Sequence, residues 1–413
     1  MLSKNLQKTI LTHVLDLPKY DVVGIQLFDN VGIVIHIKSQ NKFATCPRCG
    51  NESRHLHQNH YHNIQDLPWN EKAVYLRVNA RQFECRKCGK PFTEVLDFTP
   101  SRRSYTKRFA VDILGQVLGS NILAVSQRTG ISEYRIQHIL EDAGKVLKQM
   151  KPKGLKILGI DEISWVKGGK YYCGVLVNLE THEAIGLVKS RKQDEMGQVF
   201  EGWGEEILQG IKLVSIDLWR PYKTLVEELM PNAEVVADRF HVMKAVNEQL
   251  DTQRKREYQK AKKVQNKAEK KRVIEGLKNS KYILLKNQDD LTESQLEKLE
   301  EVKSVSPILA EMHELKEEFR TIFEESRNWS EGTLKLLDWL CSAKDKFSDA
   351  CKTIVNWFGE VTTYFECHVT NGCVEGINNK LKLIKHAAYG FRNFDNFETR
   401  ALLSCCKAID LAY

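Results

Sequence analysis

The sequence ILGID at residues 157–161 is a short apolar run that ends on an acidic residue, and LVSID at residues 213–217 repeats the pattern. A third carboxylate, Glu375, lies far downstream on a predicted helix. Buried strands hold the side chains at their ends with little freedom, so Asp161 and Asp217 are expected to be fixed oxygen ligands. Two divalent cations held a few ångströms apart need such ligands to align an in-line displacement at phosphorus. The layout therefore predicts a two-metal phosphoryl-transfer site.

The elements around these runs alternate between strand and helix patterns. In order along the chain, they are the strand ending on Asp161, strands at 171–178 and 184–188, a helix at about 194–208, the strand ending on Asp217, a helix after Pro221 and a strand at 234–237. The short connection between the second and third strands predicts an antiparallel hairpin. This order is that of an RNase-H-like α/β fold, in which the first and fourth strands lie side by side. Asp161 and Asp217 are therefore expected to meet at one end of the sheet.

Each of these carboxylates also has an ordinary structural interpretation. An Asp just past a strand is often a helix cap or a turn former, and for any one of them alone this role is the commoner one. Two Asp residues at adjacent strand ends, in a chain that also carries the DNA-binding signatures described below, favour metal binding instead.

The composition is that of a globular protein. With 413 residues, 42% of them hydrophobic and 28% charged, the chain has the length for two or three domains. It contains no run of eighteen apolar residues, and its first residues have the pattern of a short amphipathic helix. We therefore expect a cytosolic protein without a membrane span.

The formal net charge of +8 comes from one stretch of the sequence. Between Arg254 and Arg272 there are ten basic residues against two acidic ones, Glu257 and Glu269, and the remainder of the chain is nearly balanced. A concentrated basic stripe is typical of nucleic-acid binding and could follow a phosphate backbone. A solvated helical face is the alternative interpretation.

The cysteines predict a structural metal site. Four of the eleven cysteines fall into two CxxCG turns, formed by Cys46, Cys49, Cys85 and Cys88. Each turn places two thiolates on one side of a tetrahedral ion, and the glycine that follows permits the tight backbone. We expect a structural Zn²⁺ in a zinc ribbon, with free thiols as the alternative. Four histidines between the turns are expected to be loop or DNA-facing residues rather than ligands of a second metal, namely His55, His57, His60 and His62.

Residues 121–140, NILAVSQRTGISEYRIQHIL, have the pattern of a helix-turn-helix. Gly130 suits the turn, Ile131 can fill the core, and Ser132 can cap the second helix. Side chains of this segment expected to contact phosphates or base edges are Ser132, Tyr134, Arg135, Gln137 and His138. Four basic residues precede the helices without a nearby acid and are also expected to contact DNA, namely Arg102, Arg103, Lys107 and Arg108. A plain helical hairpin is the alternative.

A charge-rich, helix-forming segment from 250 to 355 interrupts the alternation of strands and helices and predicts a helical insertion. After it, residues 371–385, NGCVEGINNKLKLIK, carry apolar residues at helical spacing. Glu375, Asn379 and Lys382 occupy a neighbouring face. A carboxylate followed by an amide and a cation on one stripe suits a helix beside a metal site, with its cations directed at DNA phosphates.

With these features taken together, the chain resembles a bacterial insertion-sequence transposase of the DDE class, in the L-three insertion-sequence family. The resemblance covers nearly the whole length of the chain. It rests on the paired CxxC turns, the helix-turn-helix and five motifs, which are GIDE at 159–162, IDLWRPY at 216–222, ADRFHV at 237–242, TNGCVEGINN at 370–379 and YGFRNF at 389–394.

The resemblance implies that Asp161, Asp217 and Glu375 form the catalytic triad and hold two Mg²⁺ or Mn²⁺ ions. It also implies an Asp-x-x-His signature at Asp238 and His241, which counts them among the catalytic candidates. Asp238 is the main rival to Asp217 as the second ligand, but its strand is expected to lie farther from the Asp161 strand. Further residues expected to contact DNA are Asn379, Lys382 and Arg392.

The reaction implied by the resemblance is hydrolysis of a phosphodiester at the element end, followed by attack of the released 3'-hydroxyl on target DNA. The implied partners are double-stranded DNA, as terminal inverted repeats and as target, and further copies of the chain during synapsis. The implied location is the bacterial cytoplasm, at the nucleoid. A zinc-containing DNA-binding regulator with a degenerate RNase-H-like domain is the alternative, disfavoured because all three carboxylates are present. A junction resolvase is a third class, and it would not need so elaborate an N-terminal region.

The predicted fold class is therefore α/β, with an RNase-H-like core, an all-α insertion, a zinc ribbon and a helix-turn-helix. The expected domains are a zinc-ribbon-containing domain at 1–100, a helix-turn-helix domain at 101–150, the first part of the core at 151–250, the helical insertion at 251–355, and the last part of the core with the C-terminal helix at 356–413.

Overall fold

The computed structural model describes residues 4–166 and 171–405 of the chain. The chain divides into two compact units, Met1–Met150 together with Ile384–Tyr413, and Lys151–Leu383. Each unit has its own core of buried apolar side chains. In the part of the chain that the structure describes, no helix combines the length and the apolar character needed to cross a bilayer.

The N-terminal part of the first unit consists mainly of short strands. Its elements are α1 (Lys4–Leu15), β1 (Tyr20–Phe28), β2 (Gly32–Ser39), β3 (Ala44–Thr45), β4 (Glu52–Ser53), β5 (Leu56–Gln58), β6 (Tyr61–Trp69), β7 (Lys72–Asn79), β8 (Gln82–Glu84) and β9 (Pro91–Thr93). The longest strands form one sheet in the order β1-β2-β7-β6, antiparallel except for the β2–β7 pair. Ile35, Val74 and Leu76 are fully buried on one face of this sheet, whereas their neighbours along each strand are not. The shorter strands form small sheets beside the cysteines.

Three helices follow in the first unit, α2 (Lys107–Leu118), α3 (Ile122–Thr129) and α4 (Glu133–Gln149). The residue before each helix caps it, because the side chains of Thr106, Asn121 and Ser132 accept from the backbone N–H three residues later. Gly130 ends α3 with a φ of 71°, a left-handed conformation that costs glycine little. Two helices joined by a tight turn therefore occupy the segment in which the sequence pattern predicted them.

The second unit contains a five-stranded sheet. Its strands are β10 (Ile157–Ser164), β11 (Tyr172–Asn178), β12 (Glu183–Val188), β13 (Leu213–Ile216) and β14 (Glu234–Ala237). They lie in the order β12-β11-β10-β13-β14, with parallel pairing of β10 with β13 and of β13 with β14, and antiparallel pairing elsewhere. The predicted neighbourhood of the first and fourth strands is confirmed.

The register of the parallel strands brings three chain positions to one edge of the sheet. Ile160, Ile216 and Ala237 are in register across β10, β13 and β14, so the acidic residue that follows each of them emerges at the same edge. The first strand is longer than the sequence predicted, because its antiparallel ladder with β11 continues to Ser164. Asp161 therefore follows the last residue of β10 that pairs with β13. It is still within the ladder that pairs β10 with β11, and this ladder fixes its backbone.

Helices make up most of the remaining chain and include the segment predicted as an insertion. They are α5 (Gln193–Trp203), α6 (Glu205–Gly210), α7 (Arg220–Leu229), α8 (Arg239–Lys262), α9 (Lys267–Leu277), α10 (Lys281–Leu285), α11 (Glu293–Val305), α12 (Pro307–Glu325), α13 (Trp329–Ala343), α14 (Ser348–Asn356), α15 (Phe358–Cys367), α16 (Gly372–Ala387) and α17 (Phe394–Cys405), with a short 3₁₀ turn at Gln288–Asp290. The single helix predicted at 194–208 is two helices, because Gly204 interrupts it with a φ of 96°. The predicted boundary at 250/251 lies inside α8, which begins directly after β14.

The last helix, α17, belongs to the first unit, where it packs against α4 and α2. Arg400 is buried there, and its Nη2 donates to the carbonyl oxygens of Val117 at 2.8 Å and Ser120 at 2.5 Å. These carbonyls lie at and just after the C-terminal end of α2, and the guanidinium hydrogen-bonds to both of them. The boundary between the units at Ile384 therefore falls within the segment 356–413 that the sequence analysis assigned to one domain.

Candidate functional site

Two tight turns bring four cysteine thiols together in the first unit. The Sγ atoms that lie within 4.8 Å of one another are those of Cys46, Cys49, Cys85 and Cys88. Two of the Sγ–Sγ distances are 3.5 and 3.8 Å, and a tetrahedron with Zn–S bonds of about 2.3 Å has an edge of about 3.8 Å. Gly50 and Gly89 close the turns with φ values of 70° and 62°, and each N–H donates to the carbonyl of the first cysteine. The cluster fits a zinc ribbon.

The backbone of the second turn also favours the thiolate form of Cys85, which is the form that binds a metal. Backbone hydrogen bonding, led by the N–H of Cys88, lowers the pKa of Cys85 to about 6. The histidines between the turns lie mostly at the surface, and His57 Nδ1 is 2.9 Å from Gln82 Oε1. Among the described residues, no cluster of metal-type ligands includes these histidines.

Asp161, Asp217 and His241 form a second cluster, at the edge of the five-stranded sheet. One potential ligand atom of each residue lies within 4.8 Å of the others. His241 Nε2 is 3.0 Å from Asp217 Oδ1 and 3.9 Å from Asp238 Oδ2. The structure thus brings together the two aspartates that were expected to meet. It adds an imidazole to them, which sequence reasoning had placed in the Asp-x-x-His motif without a defined contact.

Asp238 has a structural role in this arrangement. Its Oδ1 accepts a hydrogen bond from the N–H of Phe240 at 3.1 Å, so it is the N-cap of α8. Helix α8 therefore begins at this cap, and one turn later it places His241 beside Asp217. The rival second ligand is therefore a helix cap, and its strand lies one position farther from β10 than β13 does.

Burial and mutual repulsion disfavour the charged forms of these carboxylates. Burial, followed by the charge of Asp217, raises the pKa of Asp161 to about 6. Burial likewise raises the pKa of Asp238 to about 6. Burial lowers the pKa of His241, but the hydrogen bond and charge of Asp217 and the other nearby carboxylates outweigh it, so the net shift is upward. The cluster concentrates negative charge that a cation would neutralise.

Helix α16 contacts the cluster through Asn378 rather than through Glu375. Asn378 Nδ2 donates to Asp161 Oδ2 at 2.5 Å. Glu375 is exposed on the first turn of the helix and lies outside the 4.8 Å cluster that the described residues form. Its charge contributes to the raised pKa of Asp238, so it is within electrostatic reach. The third residue of the expected triad is therefore near the cluster without being part of it.

The close packing of α16 on β10 requires a glycine in the strand. A Cβ at Gly159 would come 2.8 Å from Leu179 Cδ2 and 3.1 Å from Val374 Cγ2. Sequence reasoning missed Asn378, although a signal was present. It follows Glu375 by three residues, and residues at that spacing share one face of a helix.

Glu162, the residue after Asp161, belongs to a network that sequence reasoning also missed. The hydroxyl of Tyr222 donates to Glu162 Oε1 at 2.9 Å, and Arg191 Nη1 lies 3.4 Å from Glu162 Oε2. The guanidinium carbon of Arg191 is 5.2 Å from the ring centre of Trp219. The network connects the backbone next to Asp161 with the start of α7, and the motifs GIDE and IDLWRPY contain three of its members.

Four side chains expected to contact DNA make contacts within the first unit, namely Arg103, Arg108, Arg135 and Gln137. In the same order, their partners are Asp142 at 2.5 Å, Asp66 at 2.7 Å, Gln65 at 2.7 Å and Asn396 at 2.8 Å. Arg135 also lies over the rings of Tyr105 and Phe109. These side chains hold the unit together, a role that the sequence pattern did not indicate.

The other residues expected to contact DNA are mostly at the surface. Tyr134 is 75% exposed, and its ring meets that of His138 edge-on. Ser132 is the N-cap of α4. Among the remaining residues expected to contact DNA, Lys107 is half-buried, and the exposed residues are Arg102, Asn379, Lys382 and Arg392.

Comparison with known proteins identifies the family. A family model described as a transposase, of the ISL3 type, matches residues 158–401, from β10 to α17 and more than half of the chain. The chain belongs to the ISL3 transposase family. A second model, described as the zinc-finger of transposase IS204/IS1001/IS1096/IS1165, matches residues 42–88 and contains all four clustered cysteines.

Two relatives extend the similarity to most of the chain. One is the transposase for insertion sequence element IS1001 of Bordetella parapertussis, 27% identical over 371 residues, which are 88% of this chain and 89% of that one. Another is the transposase for insertion sequence element IS1557 of Mycobacterium tuberculosis, 24% identical over 390 residues, which are 88% of this chain and 86% of that one. The protein is a DNA transposase, and its family and four clustered cysteines support a structural zinc site. DNA cleavage is the enzymatic activity that this family implies.

In this transposase the carboxylate cluster is open to solvent on one side. A cavity of about 310 Å³ is lined by Asp217 and His241 together with Trp219 and Lys244. Trp219 is 40% exposed although it is a large aromatic side chain.

Proposed function

We propose that this transposase cuts DNA at the terminal inverted repeats of an insertion sequence with two divalent cations held by Asp161, Asp217 and Glu375. The observation that carries the proposal is the proximity of Asp161 and Asp217, whose oxygens lie within 4.8 Å at the ends of two hydrogen-bonded strands. The strand order and the parallel pairs support an RNase-H-like core. The run of helices at 251–355 supports an insertion in that core.

The donor set fits Mg²⁺ or Mn²⁺. Both are hard cations that prefer carboxylate oxygens. Burial and the neighbouring Asp217 raise the pKa of Asp161, and a cation beside these carboxylates would remove their repulsion. When bound, two such ions activate the attacking oxygen and stabilise the leaving oxyanion.

The residues around the carboxylates keep them in position. Asn378 holds one oxygen of Asp161, and the backbone N–H of Glu162 donates to the other at 2.6 Å. His241 neutralises Asp217 in the protein without a cation, and we propose that it holds a phosphate oxygen of the bound strand. Glu375 lies in the first turn of α16, one turn before Asn378 and on the same face of the helix.

DNA-end recognition is assigned to the first unit. We interpret α3 and α4, joined at Gly130, as a helix-turn-helix, and we propose that Tyr134 and His138 face the DNA with Arg102. The zinc ribbon would contact the same DNA. The two relatives are each described as the transposase for an insertion sequence element, which supports terminal inverted repeats as the sequence that is read.

Strand transfer would follow cleavage at the same carboxylates, with the released 3'-hydroxyl attacking target DNA. Holding two element ends requires at least two copies of the chain, so we propose a homo-oligomer in synapsis. Because its substrate is the bacterial chromosome, we place the protein at the nucleoid, in the cytoplasm.

The test is a pair of measurements on one variant, Asp161→Asn. Cleavage of a labelled duplex that carries the element end should fall by about a thousandfold or more, because a carboxylate that would hold the divalent cations is lost. Binding of the same duplex, measured by gel shift, should be unchanged. Asp194→Asn, at an exposed position of α5, is the matched control and should retain both activities. Cleavage at the wild-type rate by Asp161→Asn would refute the proposed site.

A non-catalytic DNA-binding regulator is the second candidate, and one observation favours it, namely the position of Glu375 outside the cluster. Nicking of supercoiled plasmid carrying the inverted repeats distinguishes the two. Metal-dependent nicking by the wild-type protein, absent from Asp161→Asn, excludes the regulator. Tight binding without nicking under any divalent metal would establish it.

A further inference from the structure

A cavity of about 840 Å³ lies in the second unit between α8, α10, α12 and the start of α16. Asp238, the cap beside the carboxylate cluster, lines one end of it, and Lys255 lines the face of α8 farther along the helix. These positions are seventeen residues apart, which is about 25 Å along an α-helix. The cavity therefore begins next to the proposed cleavage site and extends away from it.

Four of the five cations that line the cavity are paired with carboxylates. Arg239 donates to Glu324 at 2.8 Å, and Arg320 binds the same carboxylate. Lys255 forms an ion pair with Asp251 at 2.8 Å. A phosphate would have to compete with these carboxylates for each of the four cations. The charge of the cavity therefore does not favour an anionic ligand.

Three side-chain amide atoms of two residues that line the cavity, by contrast, lack hydrogen-bond partners within the described part of the chain. Asn371 is only 5% exposed, and among the described residues neither atom of its side-chain amide has a hydrogen-bond partner. The buried Oδ1 of Asn247 is likewise unpaired within the described part of the chain. Buried amides without partners are costly, and together these two offer a donor and acceptors, as the edge of a nucleobase requires.

An aromatic ring completes the lining. Phe240 lies two residues after Asp238 and is 55% exposed in the first turn of α8. An exposed phenyl ring beside a phosphodiester-cutting site is a surface on which a base can stack. The volume of about 840 Å³ is within the range of pockets that hold ligands of nucleoside size.

From these features we propose that the cavity receives an unpaired nucleobase of the DNA strand at the cleavage site. Phe240 stacks on the base, and Asn371 and Asn247 bind its hydrogen-bonding edge. The inference rests on the proposed function, because the strand must lie at Asp161 and Asp217 for its neighbouring base to reach the cavity.

The first test locates the base directly. Asp161→Asn protein is bound to element-end duplexes in which 5-iodouracil replaces one base at a time around the scissile phosphate. Irradiation should crosslink one position to Phe240, identified by mass spectrometry of the peptide. If the duplexes bind and the wild-type protein cuts them, but no position crosslinks to residues lining the cavity, the inference is overturned while the proposed function stands. If wild-type protein does not cut the ends at all, the proposed function itself has failed.

The second test separates stacking from a structural role. Phe240→Ala should cut fully paired ends about tenfold more slowly, and a mismatch at the crosslinked position should restore most of the rate, since an unpaired base costs less to extrude. Trp329→Ala, at a 47% exposed position that does not line the cavity, should cut both substrates at the wild-type rate. An equal loss of rate on paired and mismatched ends would overturn the inference. Binding of free deoxyadenosine monophosphate without DNA, by equilibrium dialysis, would also overturn it and point to a mononucleotide site.

Discussion

The four thiols of the first unit and the carboxylates of the second are both clusters of metal-binding groups, but they are assembled differently. The cysteines lie in two short turns, each closed by a glycine, and all of their sulfur atoms are in place within 4.8 Å. Asp161 and Asp217 come from strands 56 residues apart in sequence, and Glu375 comes from a helix much farther along. The first cluster is complete and the second is not.

The thiol cluster helps to hold the surrounding fold together, whereas the carboxylate cluster is held in position by the fold around it. The thiol turns depend on a metal, because the sheets beside them are short and bury few side chains. The carboxylates sit on a well-packed sheet and repel one another there, as the raised pKa of Asp161 indicates. Removing a ligand should therefore damage the structure in the first case and the chemistry in the second.

The most extensive effect, on structure and DNA binding together, is expected when the thiol cluster is broken. Cys85→Ser removes one of the four ligands, so bound zinc should be lost and binding of the element end should weaken at least about a hundredfold. Zinc content by atomic absorption and end binding by gel shift are the measurements. Cys341→Ser, at an exposed cysteine outside the cluster, should change neither. A zinc-free Cys85→Ser protein with normal end binding would contradict the conclusion that the thiol cluster maintains the structure.

Removing the third carboxylate should leave the structure intact. Glu375→Gln should slow end cleavage by about a thousandfold, or about 4 kcal/mol in the barrier, because one ion loses a charged ligand. Zinc content and the melting temperature should stay at the wild-type values. Glu366→Gln, an exposed position on α15, is the control. Cleavage by Glu375→Gln at the control rate would remove Glu375 from the triad.

Moving α16 without changing any ligand should have an intermediate effect. In Gly159→Ala the added methyl would lie 2.8 Å from Leu179 Cδ2 and 3.1 Å from Val374 Cγ2 of α16, so the Leu179 side chain must move and the helix must shift slightly. We expect a loss of about 2 kcal/mol of unfolding free energy and slower cleavage. Gly202→Ala, where a Cβ would meet no atom within 4 Å, should be neutral in denaturant melts and cleavage assays. Wild-type stability in Gly159→Ala would show that the packing is looser than this distance indicates.

The smallest effect concerns the pH dependence of stability. The pKa of Asp161 is raised to about 6 in the folded chain, so the folded chain holds this proton more tightly than the unfolded chain. Its contribution to stability is therefore greatest at low pH and declines as pH rises from about 4 to about 6. Asp161→Asn removes this decline and should be more stable than wild type by about 1 kcal/mol at pH 7.

The measurement is calorimetric melting of both proteins from pH 4 to pH 7 in buffer without added divalent metal. A chelator is avoided because it would also remove the zinc. The advantage of Asp161→Asn should shrink towards pH 4 and should disappear at pH 7 when excess Mg²⁺ is added to the wild type. An advantage that is independent of pH would mean that charge repulsion is not its cause.

The sequence predicted the parts of the molecule that local patterns determine. The CxxCG turns, the apolar runs before Asp161 and Asp217, and the break at Gly130 each depend on neighbouring residues. The adjacency of β10 and β13 was also predictable, because few connections are possible for this order of elements. The four-stranded sheet of the first unit was not predicted.

Side-chain partners that are distant in sequence were beyond prediction. Arg108 and Arg135 are basic residues of the kind that contacts DNA, but their side chains bind Asp66 and Gln65. The residue type alone does not distinguish a DNA contact from a contact within the fold. The contact of Asn378 with Asp161 joins residues 217 positions apart. Only the packed fold determines which amide reaches which carboxylate.

The buried Arg400 has a consequence for the order in which the parts of the protein can fold. It closes the end of α2 from a position about 280 residues later in the chain. A ribosome adding 5–20 residues per second needs on the order of tens of seconds to synthesise the intervening sequence. During that interval the nascent helices lack the arginine that caps their exposed carbonyls. The first unit is therefore finished only after the second unit has been synthesised.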